Sequence, residues 1–148
     1  MINAATLTLG LLLCATGSFA QLNYYAAARY DYSAGAQQSV EIGKGNISQR
    51  AALVITQAKD KGINMLSVGA SGYTEIFCLW RSIHASLFIN GNVYVVKDPF
   101  LNLKGGLAVN VPIYKSISLQ FMQGVRTYDN YSGGFLLSSA GLNFYFNN

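Results

Sequence analysis

Apolar and polar residues alternate with a period of two along most of this chain, which is the repeat of a β-strand with one face buried in apolar surroundings. Leu22, Tyr24, Ala26, Ala28, Tyr30 and Tyr32 alternate with Asn23, Tyr25, Ala27, Arg29, Asp31 and Ser33. Leu101, Leu103, Gly105, Leu107, Val109 and Val111 oppose Asn102, Lys104, Gly106, Ala108 and Asn110. Ile117, Leu119, Phe121 and Val125 oppose Ser118, Gln120, Met122, Gly124 and Arg126. At the C-terminal end Leu142, Phe144 and Phe146 share one face, while Asn143, Tyr145 and Asn147 share the other. A lipid-facing strand has this form: an apolar outside with tyrosines near its ends, and an inside that tolerates Arg29 and Asp31.

The intervening segments are less regular. Ala34 to Gln38 reads as a connection, Val40 and Ile42 flank Glu41, and Gly43-Lys44-Gly45-Asn46 reads as a break. Residues 48–58 fit two elements. Ser48 could cap a helix that Gly62 ends, but the β-branched run Val54-Ile55-Thr56 and the β-rich surroundings favour a strand. A glycine-containing strand follows over Ile63–Ala70. Phe77, Leu79, Ile83, Ala85, Leu87 and Ile89 then share one face of a run whose other face holds Cys78, Trp80, Ser82, His84, Ser86 and Phe88. Arg81 falls on the apolar face, where a long side chain can snorkel at an interface. Asn90-Gly91 is a hairpin signal, Val93–Val96 a short strand ended by Asp98-Pro99, and Pro112-Ile113-Tyr114-Lys115 a turn.

These segments make nine candidate strands, whereas single-chain bacterial barrels have even numbers. Eight is therefore expected, either because residues 48–61 are not a strand or because two short runs merge. Backbone groups in lipid must all be paired, which closes such strands on themselves. The expected fold is all-β: an antiparallel up-and-down transmembrane β-barrel of eight strands over residues 21–148.

Composition narrows the classes further. Charged residues make up 11% of the 148 residues, against roughly 25% in ordinary soluble domains, while 51% are hydrophobic. The net charge of +4 comes from scattered lysines and arginines with no basic stripe, so no nucleic acid partner is expected. Residues 1–20 hold an apolar run over Leu7–Leu13 and end in small residues, with Ser18 and Ala20 forming a signal-peptidase pattern. That run is shorter than the ~20 residues of a membrane helix, so residues 1–20 read as a removed signal peptide. Cys78 is then the only cysteine, which leaves no internal disulfide and no metal-site spacing. No cofactor is expected.

Ser139, Gly141, Phe144 and Phe146 form a polar-x-Gly-x-x-aromatic-x-aromatic run, followed by Asn147 and Asn148. It resembles the C-terminal targeting signal of Gram-negative outer-membrane barrels. From about residue 100 onward the long dyad strands, short turn and tyrosine-rich loop resemble the end of a small OmpA, OmpX or opacity-type barrel. The resemblance implies an outer-membrane location among lipid and lipopolysaccharide. It also implies the barrel-assembly machinery and periplasmic chaperones as partners in biogenesis; the sequence leaves the oligomeric state open, with a monomer favoured. Gly141, Phe144 and Phe146 would carry the assembly signal. Arg29, Asp31, Lys104 and Arg126 would belong to a polar network in a filled lumen, because eight strands enclose little more than their own side chains. Tyr128, Asp129, Asn130 and Tyr131 would offer an external contact in a structural or surface-interaction role.

His84 and Ser86 point the same way on a strand, and this His-x-Ser pair resembles the motif of outer-membrane lipid A deacylases. That resemblance implies Ser86 as nucleophile, His84 as base and Glu75 as its orienter. Leu87 stands where that family has asparagine, Glu75 precedes the pair instead of following it, and parity turns His84 inward. A non-enzymatic barrel is accordingly the expectation. The alternatives are an acyl-ester hydrolase and a soluble periplasmic barrel that binds a small apolar ligand.

Overall fold

The computed structural model describes residues 23–32, 36–60, 63–79, 82–130 and 132–146. The expected signal peptide over residues 1–20, Arg81 and Tyr131 lie outside them. Among the described residues all regular structure is strand: β1 (Tyr24–Asp31), β2 (Gln37–Gly45), β3 (Gln49–Asp60), β4 (Ile63–Leu79), β5 (Ile83–Tyr94), β6 (Leu101–Tyr114), β7 (Ile117–Tyr128) and β8 (Gly134–Phe146). Each strand pairs antiparallel with the next, and β8 pairs with β1 to close an eight-stranded barrel. The closing seam runs in register from Tyr24↔Phe146 to Asp31↔Ser139.

Alternation decides what faces where. Val40, Ile42, Leu53, Ile55, Leu87, Phe121 and Val125 project from the outer surface, and Ile42 is 65% exposed. The inner face collects Arg29, Asp31, Glu41, Arg50, Asn92, Asn102, Lys104, Asn110, Gln120, Arg126 and Asn143, all buried. Among the described residues buried polar side chains outnumber buried apolar ones, and most of the large aliphatic residues lie outside. A water-soluble domain arranges them the other way, since its stability comes from removing apolar surface from water. Inside the barrel, buried apolar residues gather in two small clusters, one of Tyr73, Phe88, Ala108, Met122 and Leu137 and one of Tyr25, Ala27 and Ala52.

Several local expectations need correction. Residues 49–60 are strand, and the turn before them is closed by Asn46, whose Oδ1 accepts the amides of Ser48 and Gln49, both at 2.9 Å. The count of eight thus arises by merging, as the second alternative allowed. Asn90-Gly91 makes no hairpin. It lies inside β5, where Phe88, Asn90, Asn92 and Tyr94 are buried in alternation with the exposed Leu87, Ile89 and Val93. The run from Phe77 to Ile89 is two strands, broken after Leu79 by a turn in which the Ser82 amide donates to the Leu79 carbonyl at 3.2 Å. Gly43-Lys44-Gly45 is no break but the end of β2. A Cβ at Gly43 would overlap the Ala51 carbonyl oxygen, so glycine there reflects close strand approach. Pro112 also stays within β6, at a register shift between Pro112 and Tyr114, the kind of position where a strand accommodates a residue without an N–H.

Candidate functional site

The lumen holds two polar clusters. In the first, the Glu41 carboxylate forms an ion pair with Arg29 and accepts the hydroxyls of Tyr73 at 2.9 Å and Tyr25 at 3.1 Å. Arg29 in turn donates from Nε to Gln120 Oε1 at 2.5 Å and from Nη2 to Asn143 Oδ1 at 3.0 Å. Asn143 donates to Ser118 and Asn110, at 3.1 and 3.2 Å. Arg50 reaches across from β3 to donate to the Tyr145 hydroxyl at 3.1 Å and to Asn110 Oδ1 at 3.3 Å. Its guanidinium lies 4.1 Å from the Tyr73 ring centroid and 5.5 Å from that of Tyr25, close enough for cation–π attraction. The cluster ties β1, β2, β3, β4, β6, β7 and β8 together through side chains, in addition to the backbone ladder.

The second cluster lies near the opposite end from the chain termini. Lys104 Nζ donates to Asp31 Oδ2 at 2.6 Å and to Gln37 Oε1 at 3.0 Å, and Gln37 Nε2 donates to the Tyr128 hydroxyl at 3.2 Å. Arg126 stacks over the Tyr128 ring at 5.9 Å. Above them Tyr94, Phe100, Tyr128 and Phe135 form a chain of ring contacts, with centroids 4.6, 5.8 and 6.0 Å apart, that caps this mouth of the barrel.

The four charged residues singled out in the sequence therefore sit in the lumen but divide between the clusters. Arg29 and Asp31, two residues apart on β1, do not pair with each other. Each finds its counter-charge on another strand, Glu41 on β2 and Lys104 on β6. Glu41, Arg50, Gln37 and Tyr73 went unselected. Parity between Val40 and Ile42 was enough to aim Glu41 inward, whereas Arg50 belonged to the segment whose element type was open, so it had no face to assign.

The proposed catalytic trio is only partly assembled. Glu75 Oε2 lies 2.6 Å from His84 Nδ1 and accepts the Ser48 hydroxyl at 2.7 Å. Ser86 sits beside Glu75 in the β4–β5 register, but its hydroxyl is buried without a hydrogen-bond partner and does not reach His84. Activation of a serine needs that bond. What Glu75 and His84 form instead, with Ser48, is a half-buried clasp between the turn at residues 46–48, β4 and β5.

At the seam, Gly141 pairs with Arg29, Phe144 with Ala26 and Phe146 with Tyr24. Phe146 is exposed on the outer surface. In the connection after β7, Asp129 makes two bonds with Leu101: its amide donates to the Leu101 carbonyl at 3.0 Å, and its Oδ1 accepts the Leu101 amide at 2.9 Å. Tyr128 belongs to β7 and turns its hydroxyl inward, which leaves Asp129 and Asn130 as the exposed described residues of that selected stretch.

Neither the protein-family models nor the curated proteins give a match to this chain. Solved structures do. A de novo designed transmembrane β-barrel superimposes with a TM-score of 0.55 at 8% identity, covering 84% of this chain and 95% of that one. Neisserial surface protein A gives a TM-score of 0.52 at 16% identity, covering 84% and 96%. The Yersinia pestis outer membrane protein Ail, determined in a phospholipid bilayer nanodisc, gives 0.46 at 12% identity, covering 84% and 100%. The first two show a shared fold, that of the small eight-stranded membrane barrels.

Proposed function

We propose, from a fold shared with small outer-membrane barrels, that this chain is an integral protein of the Gram-negative outer membrane with a structural or surface-interaction role. One observation carries the reading: the barrel is apolar outside and polar inside, from Ile42, Leu53 and Phe121 on one surface to Arg29, Glu41 and Asn143 on the other. Lipid tails are the solvent that such an exterior suits. A soluble barrel that stores a small apolar ligand needs the opposite lining, so the lumen chemistry argues against that alternative. The missing bond between His84 and Ser86 argues against the hydrolase.

Loop lengths support an orientation. Connections at the end that holds both strand termini are short, at residues 46–48, 80–82 and 115–116. Those at the other end are the longer stretches 32–36, 95–100 and 129–133, together with the two-residue connection 61–62. Short turns face the periplasm in outer-membrane barrels and longer loops face outward. Asp129 and Asn130 would then meet the exterior, among lipopolysaccharide, above the aromatic cap. Fractionation tests the whole reading. The chain is expected in a carbonate-washed membrane pellet, with a gel mobility that changes on heating; recovery as a soluble periplasmic protein would sink it.

The closing strand would be the segment that the barrel-assembly machinery reads. Phe144 and Phe146 share the apolar parity of β8 and contribute to the seam with β1. Replacing both with serine is expected to lower the membrane-inserted fraction several-fold, measured by the heat-modifiable band, with unfolded chain left to periplasmic chaperones and proteases. Normal insertion of the double mutant would leave the strand as an ordinary seam with no address in it.

A further inference from the structure

We propose that the barrel carries an apolar belt of unequal height and compresses the bilayer beside β1, β2 and β3. The inference rests on the membrane reading and deepens it, by naming the lipid that fits one face. Strand register draws the edges of that face. The outward residues of β2 are Gln38, Val40, Ile42 and Lys44, all exposed. Their partners on β1 are Tyr30, Ala28, Ala26 and Tyr24, in the same order. Two apolar rungs, Ala28↔Val40 and Ala26↔Ile42, thus lie between a tyrosine–glutamine rung at the long-loop end and a tyrosine–lysine rung at the short-turn end. The glutamine line continues onto β3, where Gln57 pairs with Gln38. On β3 the outward Ala51, Leu53 and Ile55 are again bracketed, by Gln49 and Gln57.

The height follows from strand geometry. At ~3.3 Å per residue and a tilt of roughly 40°, the step from Gln38 to Lys44 covers about 15 Å of membrane. The apolar band of an outer-membrane barrel is ordinarily about 25 Å tall. β6 stands four strands away from β2 in either direction around the ring, and so faces the opposite side. Its outward residues are Leu101, Leu103, Gly105, Leu107, Val109 and Val111, with no polar side chain among them. By the same measure they cover about 25 Å. β5 widens this tall face, pairing Val93, Gly91, Ile89 and Leu87 with Leu101, Leu103, Gly105 and Leu107.

Snorkelling does not remove the difference. A lysine can extend its ammonium towards water, but Lys44 Nζ lies 5.1 Å from the ring centroid of Tyr24, the residue it is paired with. Cation–π attraction holds it at that level. The side chain of Gln38 is shorter, and tyrosines such as Tyr24 and Tyr30 are the residues that mark membrane–water interfaces. Polar groups left in hydrocarbon find no hydrogen-bond partner, so water and headgroups come to them and the adjoining lipid shortens. Tilting the barrel moves a band up or down without lengthening it. The lipid that fits β1–β3 is therefore one with short or disordered acyl chains, while β5 and β6 take full-length chains.

The test varies bilayer thickness. The chain is folded into vesicles of dilauroyl-, dimyristoyl- or dioleoyl-phosphatidylcholine and unfolded in urea. Gln38→Leu combined with Lys44→Leu adds an apolar residue at each end of the narrow face. The parent midpoint is expected to fall from the thinnest bilayer to the thickest. The double variant should lose most of that fall and exceed the parent in dioleoyl vesicles. Gln123→Leu, on the outer surface between Phe121 and Val125, adds apolar area without height, so it should shift all three midpoints equally. Nitroxide labels on Gln38→Cys and Lys44→Cys, each in a Cys78→Ser background, should be reached by an aqueous nickel complex. Labels on Leu103→Cys and Val109→Cys should be reached by oxygen alone. Labels at 38 and 44 reached by oxygen alone would overturn the proposal, as would labels shielded from both probes, the result of a second copy packed on this face. A chain with no heat-modifiable band in any of the three lipids would overturn this inference and the membrane reading together. Folding in all three, with parent and double-variant midpoints running parallel, would overturn this inference alone.

Discussion

Glu41→Gln should destabilise the folded barrel by about 3–5 kcal/mol, the cost of stranding one member of a buried ion pair. Glutamine keeps the size of the side chain and much of its hydrogen bonding, so the loss isolates the charge. Arg29 and Arg50 would then share a lumen layer with no carboxylate, and both are at least 95% buried, with Arg29 5% and Arg50 1% exposed. Tyr73 donates to Oε1 and Tyr25 to Oε2, so the one oxygen of glutamine keeps one of these bonds and the other hydroxyl has to turn and accept from the new amide. Urea unfolding in lipid vesicles measures the effect. Adding Arg29→Gln to Glu41→Gln should recover part of the loss, because the pair is coupled. A single mutant as stable as the parent would mean that solvent already screens the pair, and the description of a closed polar core would fail.

The size of that effect contrasts with the clasp at the rim. Glu75 and His84 are also in contact, at 2.6 Å, yet their side chains are 24% and 15% exposed. Solvent competes for such a pair, and its net contribution falls towards the ~0–1 kcal/mol of surface ion pairs. Two glutamates in the same barrel therefore differ in weight with the depth and the partner of their contacts.

Depth and partner are also what the sequence could not display. Period-two alternation was sufficient to orient β1, β6, β7 and β8, because each presents one apolar and one polar face to two different solvents. It could not choose partners, since partners depend on register between strands. Arg29 and Asp31 are neighbours on one face of β1, yet the β1–β2 register sets Glu41 opposite Ala27, on the diagonal from Arg29 and within its reach. Asn90-Gly91 misled for a related reason. Its turn propensity is local, while the alternation of Phe88, Asn90, Asn92 and Tyr94 continues through it and extends the ladder to β4 and β6. In a closed sheet the pairing on both sides outweighs a two-residue preference. The break at residues 80–82 had no comparable signature, because the pairing Leu79↔Ile83 keeps both apolar residues on one face across the turn.

Gly141→Val is expected to lower stability by about 3 kcal/mol, the upper part of the range for overpacking, and to do so without any assembly machinery present. Gly141 stands in the closing strand where the resemblance to a targeting signal puts a glycine, but its surroundings give it a second task. It faces Arg29 across the β1–β8 seam. A Cβ at this position would overlap the Ala28 carbonyl oxygen and lie 2.6 Å from Arg29 Cγ and 3.0 Å from Arg29 Cα. Only part of that clash is with a side chain that can swing away; the remainder is backbone of the paired strand. Valine would thus push on the seam and on the stem that carries the Arg29 guanidinium to Glu41, Gln120 and Asn143. Folding purified chain into lipid vesicles separates the two tasks. If Gly141 were an address alone, Gly141→Val would insert poorly in cells yet match the parent in urea unfolding. If it also makes room for Arg29, the unfolding midpoint falls in purified lipid as well, and the C-terminal signal and the lumen network are one piece of structure read from two sides.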